Sequence, residues 1–196
     1  MLVVVEGPDG SGKTALIAVM RRHCPSPIVV ISRSKPFDSP DDILYFLTWV
    51  HIAKAMRGVI VMDRHPAISE SLYGPIFRGN SLLSGVHVHP YLRSVDQFIY
   101  CRPPTERILA NVQRTRHDQM TGVIEKSREL IRDYDDFFAV LHDERYPVSW
   151  FDYTRHQLKD LFPDWFKSTP GDTHNDGQTE LDLRSPTYGD AEVSRD

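Results

Sequence analysis

Between the apolar run Leu2-Val3-Val4-Val5 and a segment of helical period over residues 13–23 stands Gly7-Pro8-Asp9-Gly10-Ser11-Gly12-Lys13-Thr14, a complete GxxxxGK[ST] pattern. Such a loop needs a strand to deliver it and a helix to follow it. The glycines let backbone N–H groups wrap a phosphate chain, and the helix N-terminus adds partial positive charge. The expected ATP-binding set is therefore Gly7, Pro8, Asp9, Gly10, Ser11, Gly12, Lys13 and Thr14. Within it, Lys13 is expected to reach the β- and γ-phosphates and the Thr14 hydroxyl to ligate Mg²⁺.

The rest of the chain repeats the alternation that this loop demands. Leu2–Val5, Ile28–Ile31, Val59–Met62, Phe98–Tyr100 and Val148–Phe151 are short and mostly continuous apolar runs, as strands covered on both faces should be. Segments 13–23, 41–57, 66–77, 104–114, 123–142 and 155–166 carry helical period. Asp41-Asp42 and Thr105-Glu106 put acids where a helix N-terminus favours them. The order implies an α/β fold, a five-stranded parallel sheet with helices on both faces, binding ligands at the carboxyl ends of its strands.

Charge divides the chain unevenly. The formal net charge is −4, but residues 170–196 hold seven acids and two arginines, a local −5 that leaves the preceding residues at +1. That acidic stretch is rich in Gly, Ser, Thr, Pro and Asp and too poor in large apolar residues to offset the entropy of ordering. The expected organisation is a folded unit over 1–167 and a disordered tail over 168–196. Cys24 and Cys101 have neither CxxC nor zinc-ligand spacing, which points to a reducing compartment rather than a disulfide scaffold. The most apolar stretch, Ile43 to Ala53, is too short to span a bilayer, and the N-terminus lacks the features of a signal peptide, so a cytoplasmic protein is expected.

Two further features carry chemistry. Val59-Ile60-Val61-Met62 runs into Asp63-Arg64-His65, which places a carboxylate for Mg²⁺ and a guanidinium for phosphate oxygens at a strand end. No carboxylate follows Asp63, unlike the pattern of ATPases that activate water, and an arginine there suits a site whose acceptor brings its own phosphate or hydroxyl. Gln113-Arg114-Thr115-Arg116-His117-Asp118-Gln119 joins two long helical segments. Its arginines suit either a lid that neutralises charge on the γ-phosphoryl group or a solvated basic helix end. His87 and His89 lack a third ligand nearby and read as a surface loop rather than a metal site.

Together these residues resemble the thymidylate-kinase-like branch of the P-loop nucleoside monophosphate kinases. The resemblance runs from Met1 to about Phe166 through Glu6-Gly7-Pro8-Asp9-Gly10-Ser11-Gly12-Lys13-Thr14, Ser32-Arg33-Ser34-Lys35-Pro36-Phe37, Asp63-Arg64-His65, Pro103-Pro104-Thr105-Glu106-Arg107, the arginine lid and Tyr134-Asp135-Asp136-Phe137-Phe138. It implies a P-loop NTPase fold of the nucleoside-monophosphate-kinase type with a short lid, ATP as donor and Mg²⁺ as cofactor. It also implies catalytic roles for Asp9, Lys13, Arg64, Arg114 and Arg116, metal ligation by Thr14 and Asp63, and acceptor contacts from Asp9, Arg33, Lys35, Phe37, Arg64, Tyr73 and Arg78. Relatives commonly form homodimers through packed helices, and the aromatic segment around Tyr45, Phe46 and Trp49 suits an interface or core equally.

The departures concern the acceptor. Thymidylate kinases carry a base-reading arginine in the helix before the third strand. Here residues 41–57 hold only Arg57, at the far end. The segment Pro66 to Gly79 instead resembles phage-encoded members, among them kinases that phosphorylate 5-hydroxymethyl-deoxyuridine in DNA during thymidine hypermodification. Two thymidine-like acceptors therefore compete. Free dTMP needs cations for its phosphate, which Arg33 and Lys35 supply. A hydroxymethyl group already in DNA needs a carboxylate to take its proton, a task for Asp9, and an open mouth to admit a flipped nucleotide, expected between Gly79 and Pro90. An ATPase or nucleotide-dependent switch is a reading from a different class.

Overall fold

The computed structural model describes residues 1–32, 37–55, 58–84, 89–115 and 122–166. The elements alternate along the chain: β1 (Leu2–Glu6), α1 (Lys13–His23), β2 (Ile28–Ser32), α2 (Pro40–Lys54), β3 (Val59–Asp63), α3 (Pro66–Arg78), α4 (His89–Arg93), β4 (Gln97–Cys101), α5 (Thr105–Arg114), α6 (Val123–Asp143), β5 (Val148–Phe151), α7 (Leu158–Leu161) and a 3₁₀ turn (Pro163–Phe166). All five strands are parallel, in the order β2-β3-β1-β4-β5.

This order places the chemistry. β1 lies centrally, with Val5 paired to Asp63 and Glu6 paired to Tyr100, so the loop after β1 and the Asp-Arg turn after β3 leave the same sheet edge side by side. Two apolar layers hold the sheet. Val3, Val5, Val61, Ile99 and Cys101 pack against Leu16, Ile17 and Met20 of α1 and Leu158 of α7. On the opposite face Val4, Met62, Phe98 and Tyr100 pack against Ile68 and Leu72 of α3 and Tyr134, Phe138 and Leu141 of α6. Each such side chain, once removed from water, contributes about 1.5–3 kcal/mol before entropy is counted. The continuous Val/Ile runs thus have a direct cause, since both faces of the sheet are covered.

The helix ends follow local chemistry. Ser39 caps α2 by accepting from the Asp42 N–H, with Pro40 at the first helical position and both aspartates in the first turn. α2 carries its aromatics on two sides: Phe46 packs inward against the core, whereas Tyr45 and Trp49 stand 66% and 56% exposed. The helical period over 155–166 does not form one helix. Asp152 caps a turn through the Thr154 N–H and hydroxyl, α7 lasts four residues, and Pro163 enforces a restart as 3₁₀. Part of the expected 79–90 loop is helical, because α4 begins at His89. Residues 56–57, the expected lid residues 116–119 and the expected tail all lie outside the described residues. Among the described residues no helix is long and apolar enough to cross a membrane.

Candidate active site

The loop after β1 can lie this close to its neighbours only with glycine at its tightest points. Gly10 has φ +76°, and a Cβ there would sit 2.8 Å from the Ile108 carbonyl oxygen. Gly12 has φ +89°, and a Cβ would meet the Tyr153 ring at 2.9 Å. α5 and the turn after β5 therefore clasp the outside of the loop. Asn111 ties the clasp, donating from Nδ2 to the Gly10 carbonyl at 2.9 Å and to the Tyr153 hydroxyl at 3.1 Å.

Inside the loop, Lys13 folds back and donates from Nζ to the carbonyls of Gly7 and Pro8, each at 2.9 Å. Burial, together with the nearby Arg64 charge, lowers its pKa to about 8. The buried Ser11 hydroxyl has no hydrogen-bond partner among the described residues. A loop with glycine-shaped curvature, a lysine satisfied only by carbonyls and an orphan hydroxyl fits a phosphate chain, which would supply acceptors for both side chains. Thr14 is exposed in the first turn of α1, and Asp63 is half-buried at the end of β3. A hydroxyl and a carboxylate are the hard oxygen donors that Mg²⁺ takes while keeping most of its waters. No cluster of three His, Cys, Asp or Glu side chains with metal-binding geometry occurs among the described residues.

Asp9 brings the second sequence signal to the first. Its Oδ1 accepts from Arg64 Nη2 at 2.5 Å and its Oδ2 from the Tyr73 hydroxyl at 3.0 Å. The Arg64 guanidinium also lies 4.9 Å from the centre of the Tyr73 ring. Burial works against ionisation of Asp9, but the charges of Arg64 and Lys13 outweigh it and hold the carboxyl below its usual range. Arg64 adopts φ 71°, the left-handed region that residues with side chains avoid, and its N–H donates to the Val5 carbonyl at 3.0 Å. His65 follows as the N-cap of α3, its Nδ1 accepting from the Ala67 N–H at 3.2 Å. Burial drives its pKa down to about 3, so the ring is neutral.

Tyr73 belongs to an aromatic file. It stacks on Phe77 at 5.8 Å and meets Tyr134 edge-on at 6.2 Å, and the Phe77 ring lies against Gly122, where α6 begins. The remaining expected acceptor residues separate. Phe37 packs edge-on against Phe46 at 5.6 Å, over a cluster of Ile43, Leu47, Ala67 and Leu83. Arg78 is taken up by the buried Glu70 carboxylate, which also accepts the Leu82 N–H at 2.7 Å and so pins the start of the 79–84 segment to α3. Arg114 ends α5, exposed, with a long contact of 3.5 Å to Asn111. Arg33, Lys35 and Arg116 lie outside the described residues, as does His87, whereas His89 bonds the Tyr146 hydroxyl at 3.0 Å.

Glu6, Asn111 and Tyr153 were not among the expected site residues. Only Glu6 left a local signal, a lone carboxylate closing an otherwise apolar strand.

No family model and no curated protein matches the chain. Solved structures do share its fold. Deoxyadenosine kinase from M. mycoides with bound dATP aligns with a TM-score of 0.55 at 16% identity, over 86% of this chain and 100% of that one. The YorR protein of Bacillus subtilis, in complex with phosphorylated GDP, aligns with a TM-score of 0.60 at 15% identity, over 84% and 92%. At these identities the likeness establishes the fold alone, a parallel α/β arrangement that this chain shares with those structures.

Proposed function

We propose that the chain is an ATP- and Mg²⁺-dependent kinase, and that its acceptor is the hydroxymethyl group of 5-hydroxymethyluracil in DNA. The observation that carries the reading is the convergence of Asp9, Arg64 and Tyr73 beside the phosphate loop that holds Lys13. Lys13 and the loop N–H groups bind the donor phosphates. Thr14 and Asp63 would hold Mg²⁺, which when bound neutralises phosphate charge. The acceptor hydroxyl competes with the Tyr73 hydroxyl for Asp9. As its oxygen bonds to the γ-phosphorus, its proton passes to the Asp9 carboxylate and ADP leaves. An ionised Asp9 suits that task, and its lowered pKa keeps it so near neutrality. Arg64, turned from Asp9 onto the phosphoryl oxygens, stabilises the charge of transfer.

Two observations favour an alcohol over free dTMP. Between Asp42 and Lys54, α2 offers no arginine to read a thymine carbonyl, and Lys54 itself is held by Asp96 at 2.7 Å and by the Ser94 carbonyl. A structural neighbour is named a deoxyadenosine kinase. The test is to offer labelled ATP with dTMP, dGMP and an oligonucleotide containing 5-hydroxymethyluracil. Label on the oligonucleotide is expected. Label on dTMP alone would make the chain a nucleoside monophosphate kinase, and fast hydrolysis of ATP without any acceptor would make it an ATPase.

A further inference from the structure

β1 is apolar from Leu2 to Val5 and then ends on Glu6, whose side chain is fully buried. A carboxylate in that position must be hydrogen-bonded, since an unpartnered buried charge costs several kcal/mol. Its partners come from three separate segments. Oε1 accepts from the His65 backbone N–H at 2.5 Å, and Oε2 accepts from the Tyr134 hydroxyl at 3.1 Å and, at 3.3 Å, from the Gly7 N–H. One carboxyl group thus joins the first residue of the phosphate loop, the turn after β3 and the middle of α6.

That turn contains Arg64, whose left-handed backbone persists only where its surroundings over-determine it. Two hydrogen bonds from consecutive N–H groups do so here. Arg64 donates to the Val5 carbonyl and His65 to Glu6, so the last two residues of β1 fix the conformation that aims the guanidinium at Asp9. Tyr134 in turn fixes which way the carboxylate faces, and stacks on Tyr100 at 6.0 Å so that its own ring is held.

We propose that Glu6 is a positioning residue for phosphoryl transfer, acting through the His65 N–H to keep Arg64 in its left-handed turn, with Tyr134 orienting the carboxylate. The inference rests on the kinase reading above. Glu6 and Tyr134 are both fully buried, so their effect on turnover passes through Arg64 rather than through contact with substrate. α6 is also the helix that follows residues 116–121, so its seating against β1 enters the geometry of Arg64 through one hydroxyl group.

The experiment compares Glu6→Ala, Glu6→Gln and Tyr134→Phe for kcat, for KM of ATP, and for the Arg64 Nε–Hε resonance in ¹⁵N-labelled protein. Glu6→Ala is expected to lower kcat about 10- to 100-fold with the KM of ATP within about twofold, the pattern of a lost transition-state contact. Glu6→Gln keeps one oxygen for the His65 N–H and is expected to recover most of that loss. The Arg64 resonance, sharp while the guanidinium is pinned to Asp9, broadens in Glu6→Ala and persists in Glu6→Gln. If Glu6→Ala does not fold, Tyr134→Phe carries the test, since it removes a single oxygen and is expected to lower kcat about threefold to tenfold. Folded variants that keep both kcat and the Arg64 resonance would overturn the proposal. Absence of transfer to every acceptor by the unmodified chain would instead defeat the kinase reading, and the resonance alone then decides whether Glu6 positions Arg64.

Discussion

Arg64 closes on Asp9 across 55 residues of sequence, its Nη2 2.5 Å from Oδ1, so that the cation expected for phosphate and the carboxylate expected for the acceptor satisfy each other. On the proposed kinase reading, substrates would exchange these contacts for their own. Arg64→Ala is expected to lower kcat by about 10²–10³, the usual loss of one preorganised transition-state donor, while ATP affinity changes little. Lys13→Ala is expected to abolish transfer to every acceptor. Steady-state kinetics with labelled ATP separates the two. A rise in the KM of ATP at constant kcat in Arg64→Ala would reassign Arg64 to ground-state binding.

Gly10 offers a test of the clasp around the phosphate loop. Gly10→Ala must hold φ +76° with a side chain and push its methyl group to 2.8 Å from the Ile108 carbonyl oxygen and 2.9 Å from Val112. Backbone strain of this kind costs of order 1–3 kcal/mol. The expected result is a lowered melting temperature and weaker ATP binding together, because relief of the clash displaces α5 from the loop. Calorimetry with and without nucleotide measures both, and unchanged values would mean that α5 does not press on the loop.

Arg78 serves Glu70, and its removal leaves a buried carboxylate with the Leu82 N–H as its remaining partner. Arg78→Ala is expected to lose about 1–3 kcal/mol of stability, measured by denaturant unfolding. An acceptor KM that rises further than this loss explains would add the acceptor contact that the sequence resemblance implies.

The strands and the curvature of the glycine loop after β1 were legible because their signals are local. Runs such as Val59-Ile60-Val61-Met62 announce burial on both faces, and the glycine spacing of 7–14 announces its curvature within eight residues. The break in 155–166 was less legible, since apolar spacing there continues through Pro163 and only the capped turn at Asp152 shows where the helix fails to start. The candidate site was legible as parts. Asp9, Lys13 and Arg64 could be named from their motifs, but the Tyr73 hydroxyl reaches Asp9 over 64 residues and the Tyr134 hydroxyl reaches Glu6 over 128. Partnerships at that range are set by sheet order and helix packing, which no local pattern encodes. Arg78 illustrates the converse, since its motif position suggested a ligand while the packing of α3 gave it to Glu70.

Glu6 and His65 are hydrogen-bonded neighbours through the backbone, yet they tilt stability with pH in opposite directions. Burial raises the Glu6 pKa from 4.5 to about 7, despite the opposing charges of Arg64 and Lys13. The folded state therefore holds this proton more tightly than the unfolded chain, so its contribution is fully present below about 4.5 and is lost as pH rises through about 7. His65 has its pKa lowered by burial from 6.5 to about 3, so its contribution is present above 6.5 and is lost as pH falls through about 3. The two slopes oppose each other between pH 4.5 and 6.5, which flattens the profile of the unmodified chain. Glu6→Gln removes one of them. The stability of that variant relative to the unmodified chain is expected to climb by roughly 3 kcal/mol between pH 4.5 and 7, a figure that follows from about 1.4 kcal/mol per pH unit of displaced titration. Urea unfolding of both proteins at matched pH values measures the difference directly, with all other titrating groups cancelling. A difference that stays flat across that window would mean that the Glu6 pKa is not raised, its hydrogen bonds and the charges of Arg64 and Lys13 then fully offsetting the effect of burial.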